Sequence, residues 1–406
     1  MTHPATDAPP ERLYFLDWLR AAAFGLLILY HVGMYYVSWD WHIKSPFAED
    51  VADTIEPLML LSSPWRLALL FLVSGAATAM MLRPRPGQAP RPFVRERSRR
   101  LLLPLLLGMF VIVPPQAYLE VVSAVAYPGS YLDFMRLYLQ GYDGFCDGDG
   151  CLELPTWNHL WFVAYLWVYS LLLWALLKAW PQMLDTLAAL AERRLDGWAL
   201  WLVPAAVLGA WRMGLVGLFP STHALVDDFY NHAVYLSVFL AGAVLARWGG
   251  GWVRFSRWRW GALALALGLW ALLIAYFTHY GDGRVPPEWL RMSQRMGYGL
   301  LQWSAIIAAL GFAHRHWNRD HRWRQLVVDI VFPVYLLHQT LIILIAWGMR
   351  GWGLAPAVEA PLLIGATAVS CVAGALLAAR LGPLRVWFGW PPRAAKAVAV
   401  GVPAAA

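Results

Sequence analysis

An arginine, ten uncharged residues and a histidine make up RAAAFGLLILYH, residues 20 to 31. In a helix, eleven steps of 100° come to about 20° past three turns. Arg20 and His31 therefore share a face, about 16 Å apart along the axis. Asp17, one turn before Arg20, falls on the same stripe. An imidazole titrates near neutral pH, so His31 suits proton transfer from a hydroxyl, and a guanidinium suits an anion. A plainer reading makes His31 a satisfied core histidine and Asp17–Arg20 a local i,i+3 pair. The surroundings favour chemistry, because ionisable groups inside a lipid-compatible segment are costly and mark a site by default.

Other candidates stand in similar surroundings. RSRRLLLP, residues 97 to 104, places Arg97 and Arg100 three residues apart at the start of an apolar run. On one helix face, with the free N–H groups of a helix N-terminus, such a pair suits a phosphate or pyrophosphate. The other arginines of that basic stretch read as membrane anchors. His159 lies in HLWF and His338 lies mid-run in PVYLLHQ. Arg66 and Arg212 are further costly charges in apolar context. Near a span end, Arg66 also reads as an arginine that snorkels to the lipid surface.

The elements that must hold these residues follow from composition. The chain is 60% hydrophobic and 14% charged, against about 25% charged in soluble domains. Its mean hydropathy is +0.50. Ten apolar runs cover about 13–37, 58–82, 101–125, 159–180, 198–219, 232–248, 261–280, 296–316, 326–348 and 358–382, mostly near the length of a bilayer-crossing helix. The expected fold is an all-α polytopic membrane bundle of about ten transmembrane helices. A short tail (1–12) precedes the membrane domain (13–382) and another (383–406) follows it. No cleavable leader is expected.

The net charge of +7 reads as a topology signal, not as a nucleic-acid surface. With ten crossings, 24 of the 32 Lys and Arg residues fall on one side, including the loops 83–100, 247–259 and 315–324. Seven fall on the other side and Arg212 sits within a span. The positive-inside rule then puts both termini in the cytoplasm. The opposite side collects Asp40, Asp143, Asp147, Asp149, Asp227 and Asp228. It also collects Cys146 and Cys151, which are either a small disulfide or free thiols. A metal site is the weaker reading, since no histidine stands close by.

Taken in order, YFLDWLR, LYHVGMYYVSWDWHIKS, LFLVSG, RSRRLLLP, HLWFVAYLW and PVYLLHQTL resemble the acyltransferase-3 membrane family across nearly the whole chain. The resemblance leans toward members that succinylate periplasmic glucans. It implies a multi-pass enzyme of the bacterial inner (cytoplasmic) membrane. Such an enzyme takes an acyl group from cytoplasmic acyl-CoA, acetyl-CoA or succinyl-CoA, and passes it to a carbohydrate hydroxyl at the outer face. No metal is expected. His31, Arg20 and Asp17 would be the catalytic set and Arg97 and Arg100 would hold CoA phosphates. Arg66, His159 and His338 would support the substrates, with Arg66 facing the free carboxylate of a dicarboxylic acyl group. Direct transfer and an acyl-His31 intermediate both fit the residues. The competing readings are a secondary transporter, against which no inverted repeat is evident, and a structural subunit, which leaves the buried charges unexplained.

Overall fold

The computed structural model describes residues 13–84, 92–148, 150–281 and 283–391. The expected tails 1–12 and 392–406 lie outside the described residues, as do Arg12, Arg85, Arg91, Asp149, Arg393 and Lys396. The described chain is helical, and its one β-bridge joins Cys146 to Cys151. These cysteines are disulfide-bonded.

Every apolar run forms helix. α1 (Tyr14–Met34), α2 (Ala48–Ser62) and α3 (Arg66–Met81) come first. α4 (Phe93–Leu107) passes through a π turn at Gly108–Ile112 into α5 (Pro114–Ala124), where Pro114 and Pro115 break the regular ladder. α6 (Tyr131–Gln140) is a short helix with a Ser130–Asp133 capping box. α7 (Trp161–Ala179), α8 (Met183–Arg194), α9 (Ala199–Leu215) and α10 (Phe229–Leu245) follow. The long helices α11 (Gly251–Tyr280), α12 (Glu288–Trp317), α13 (Arg324–Met349) and α14 (Pro356–Ala378) complete the bundle.

The expected count of ten crossings is revised. Among the described residues, eight helices or joined helix pairs are long and apolar enough to cross a bilayer, and α8–α9, bent by 120°, makes a ninth candidate. α9 and α10 have 17 residues each, a rise of about 26 Å against a hydrocarbon core of about 30 Å. The second run begins earlier than its apolar residues suggest. Glu49, Asp50 and Asp53 are already helical in α2, and the joined span reaches from Ala48 to Met81. The start of the expected C-terminal tail is also packed: Trp390 is buried and its indole N–H donates to the Ala375 carbonyl.

Two glycines allow a close crossing of α3 and α10. A Cβ on Gly75 would fall 1.9 Å from the Phe239 carbonyl oxygen, and one on Gly242 would fall 1.9 Å from that of Leu72. α3 and α10 thus meet backbone to backbone, the packing that small residues allow inside membranes. α1 lies between α3, α12 and α13, which brings its polar stripe into the bundle interior.

Candidate functional site

The stripe on α1 ends in two separate polar sites. Near the start of α1, Arg20 shares a cavity of about 150 Å³ with Arg97 and Arg100 of α4. The remaining wall is largely apolar and includes Phe24, Val73, Met81 and Phe332, and no carboxylate lines it. Arg97 and Arg100 face the same way because they are one turn apart. Arg97 is oriented by Ser170, 3.0 Å from its Nε, and by Thr78, 3.4 Å from Nη2. The Arg20 Nε is buried without a hydrogen-bond partner. Three like charges converging on one small cavity repel each other unless an anion joins them.

Two sequence expectations change here. α4 begins at Phe93, a turn before Arg97, so guanidiniums rather than free helix N–H groups build this site. Asp17 does not pair locally with Arg20. Its carboxylate accepts from Arg324 Nη1 at 2.9 Å, and Arg324 Nε also donates to Asp320 at 2.7 Å. Asp17 ties α1 to the start of α13 and is not part of the cavity wall.

About three turns along α1, His31 meets His338 of α13. Nδ1 of His31 lies 2.8 Å from Nε2 of His338, and Nδ1 of His338 lies 2.5 Å from the Tyr335 carbonyl oxygen. A carbonyl only accepts, so His338 Nδ1 carries a proton and donates it. In neutral His338, Nε2 is then an acceptor, and His31 must donate to it from Nδ1. The lone pair of His31 is thereby assigned to Nε2, the nitrogen not engaged by His338. His338 is fully buried, which holds this arrangement in place. His159 sits in the turn before α7, with Nε2 3.3 Å from the Leu336 carbonyl and its ring edge-on to His338 at 5.0 Å. Its Nδ1 is buried without a partner. The three expected histidines therefore converge.

Arg66 does not snorkel. It is 4% exposed, at the first residue of α3, with its guanidinium carbon 3.2 Å over the Tyr30 ring.

A polar track beside the histidines was not read from the sequence. Gln339, next to His338, donates from Nε2 to His42 Nε2 at 2.8 Å and to Gln116 Oε1 at 3.1 Å. His42 Nδ1 in turn lies 2.5 Å from Glu120 Oε2. Asn158 donates to Gln116 Oε1 at 3.1 Å, and Gln116 donates to Thr340 at 2.6 Å. Glu120 reaches a cavity of about 220 Å³ lined also by Asp40, Asp147 and Cys151. The available signal was the presence of Gln116, Gln339 and Thr340 within apolar runs.

The α1 stripe thus joins an arginine-lined cavity at one end to a paired histidine near the other, inside a bundle of apolar helices. The chain belongs to the acyltransferase-3 family, whose acyltransferase-domain model matches residues 13–380. It is similar to glucans biosynthesis protein C of Escherichia coli (strain SMS-3-5 / SECEC), with 27% identity over 173 residues. That match covers 40% of this chain and 38% of the relative's length. No solved structure matches the chain at a significant level.

Proposed function

We propose that this multi-pass membrane protein transfers an acyl group from acyl-CoA on the cytoplasmic side to a carbohydrate hydroxyl on the outer side. The observation that carries the proposal is the single α1 stripe, which joins a three-arginine cavity to a histidine whose free lone pair is fixed by a second histidine.

CoA is a polyanion with a long, narrow pantetheine arm. Its phosphates would neutralise Arg20, Arg97 and Arg100, whose forks suit phosphate oxygens. The arm spans the roughly 16 Å between Arg20 and His31 and presents the thioester to the imidazole. The acceptor would approach along the Glu120–His42–Gln339 track, whose amides, imidazole and carboxylates match sugar hydroxyls.

The chemical step is direct. His31 Nε2 takes the acceptor hydroxyl proton as the oxygen attacks the thioester carbonyl. The tetrahedral centre collapses, the C–S bond breaks, and the thiolate recovers the proton from the imidazolium as CoA leaves. The Nδ1–H bond to His338 keeps His31 in the reactive tautomer throughout. Acetyl and succinyl groups are the proposed cargo, the second because the similar E. coli protein is named for glucan biosynthesis and the resemblance leans toward glucan succinylation.

The test is acceptor-dependent CoA release. Purified protein incubated with acetyl-CoA or succinyl-CoA and a glucan acceptor should release free thiol and acylate the glucan. His31→Ala protein of equal stability should do neither. Full activity in His31→Ala would refute the assignment. A transporter would release no CoA at all.

A further inference from the structure

Arg66 is a buried cation and Arg212 a half-buried one, and no carboxylate pairs with either among the described residues. Arg66 Nε and Nη1 have no hydrogen-bond partner, and neither does Arg212 Nε. Arg66 lies against the Tyr30 face. Arg212 lies 3.7 Å over the Tyr298 ring and donates from Nη1 to the Tyr230 hydroxyl at 2.8 Å. Tyr298 is close enough to interact electrostatically with both guanidiniums, and Tyr235 stands near both as well. The two arginines therefore share one tyrosine-lined cluster. Among the described residues neither joins an ion pair.

Phenol faces compensate a guanidinium only in part. A cation–π contact returns only a fraction of what taking an ion out of water costs. Four phenols also supply hydroxyl donors that an anion would accept from. Arg66 is too buried to serve lipid headgroups. Its position is informative: the guanidinium carbon is 3.2 Å from the Tyr30 centroid, and that ring is 5.8 Å from His31. The charge is thus within about 9 Å of the His31 ring, the sum of those two separations.

We propose that Arg66 and Arg212, with Tyr30, Tyr230, Tyr235 and Tyr298, form a second anion site that binds a carboxylate or phosphate carried by a substrate beside His31. It is distinct from the Arg20–Arg97–Arg100 cavity and rests on the acyltransferase reading. The anion has two possible sources, the free carboxylate of a dicarboxylic acyl donor or a charged group on the acceptor.

Calorimetry on the full chain in nanodiscs separates them through two matched pairs, succinyl-CoA against acetyl-CoA and glycerol 1-phosphate against glycerol. The wild type should bind the charged member of one pair at least tenfold more tightly. Arg66→Gln and Arg212→Gln should each erase that preference, and Arg66→Lys should retain most of it. A succinyl-CoA preference assigns the site to the donor, and a glycerol 1-phosphate preference assigns it to the acceptor. Equal binding within both pairs, or a preference unchanged in both Gln variants, would overturn the proposal. If Arg66→Gln does not fold, Arg212→Gln carries the test. Binding is read without turnover, so this result is separable from failure of the acyltransferase reading, which acceptor-dependent CoA release tests.

Discussion

His31 of α1 and His338 of α13 are 307 residues apart in sequence and 2.8 Å apart in space, Nδ1 to Nε2. The Tyr335 carbonyl behind His338 sets the direction of that bond and, through it, which nitrogen of His31 can take a proton. His338 touches no expected reacting atom, so it is a positioning residue. His338→Leu should cut kcat by roughly 10²-fold, the lower end of what general-base catalysis contributes, with CoA affinity nearly unchanged. His338→Gln keeps an acceptor oxygen for His31 Nδ1–H and should recover much of that loss. Steady-state kinetics on the two variants checks this, and equal losses in both would argue for simple packing.

The three-arginine cavity predicts a binding defect. Arg97→Ala and Arg100→Ala should each weaken CoA binding by about 1.5–3 kcal/mol, the scale of hydrogen bonds to charged groups. That is about 10- to 150-fold in Kd. Calorimetry with CoA itself is the measurement, and thermal stability should change little because no native ion pair is lost.

Asp17 should behave differently from its neighbour Arg20. Its partner Arg324 keeps Asp320 when Asp17 is neutralised, and the Asp17 side chain is 29% exposed. Asp17→Asn should therefore cost about 1 kcal/mol of stability, near the upper end for partly exposed pairs. It should leave CoA affinity within twofold. A large loss of CoA binding would return Asp17 to the site.

The contact between α3 and α10 predicts a fold defect with no chemical component. Gly75→Ala and Gly242→Ala each drive a methyl into a backbone carbonyl. Each should destabilise by at least about 1–3 kcal/mol, the usual range for overpacking, and lower the yield of monodisperse protein. Thermal unfolding in detergent monitors this.

These residues also show how far the sequence could be read. Apolar runs located the long helices, because bilayer length and backbone satisfaction leave little choice of secondary structure, but not the short α6 and α8, which fall between the runs. They could not locate the π turn at Gly108–Ile112 or the 120° bend between α8 and α9, which depend on local breaks in otherwise suitable sequence. Helical periodicity placed Arg20 and His31 on one face, since that relation is local. The pairing of His31 with His338, of Asp17 with Arg324, and of Gln339 with His42 and Gln116 are all tertiary contacts, and no single-chain spacing encodes them. Arg66 was ambiguous for the same reason, because whether it reaches lipid depends on which neighbours cover it.

The central claim is transfer across the bilayer, and sided proteoliposomes test it most directly. Vesicles with the Arg97–Arg100 face inward would be loaded with radiolabelled acyl-CoA, and a glucan acceptor would be added only outside. The orientation is first checked by labelling Cys146 and Cys151 from outside after reduction. The account predicts label on the external glucan with wild-type protein and none with His31→Ala. Label that stays with internal CoA in both, or transfer only when acceptor and acyl-CoA share one side, would contradict it.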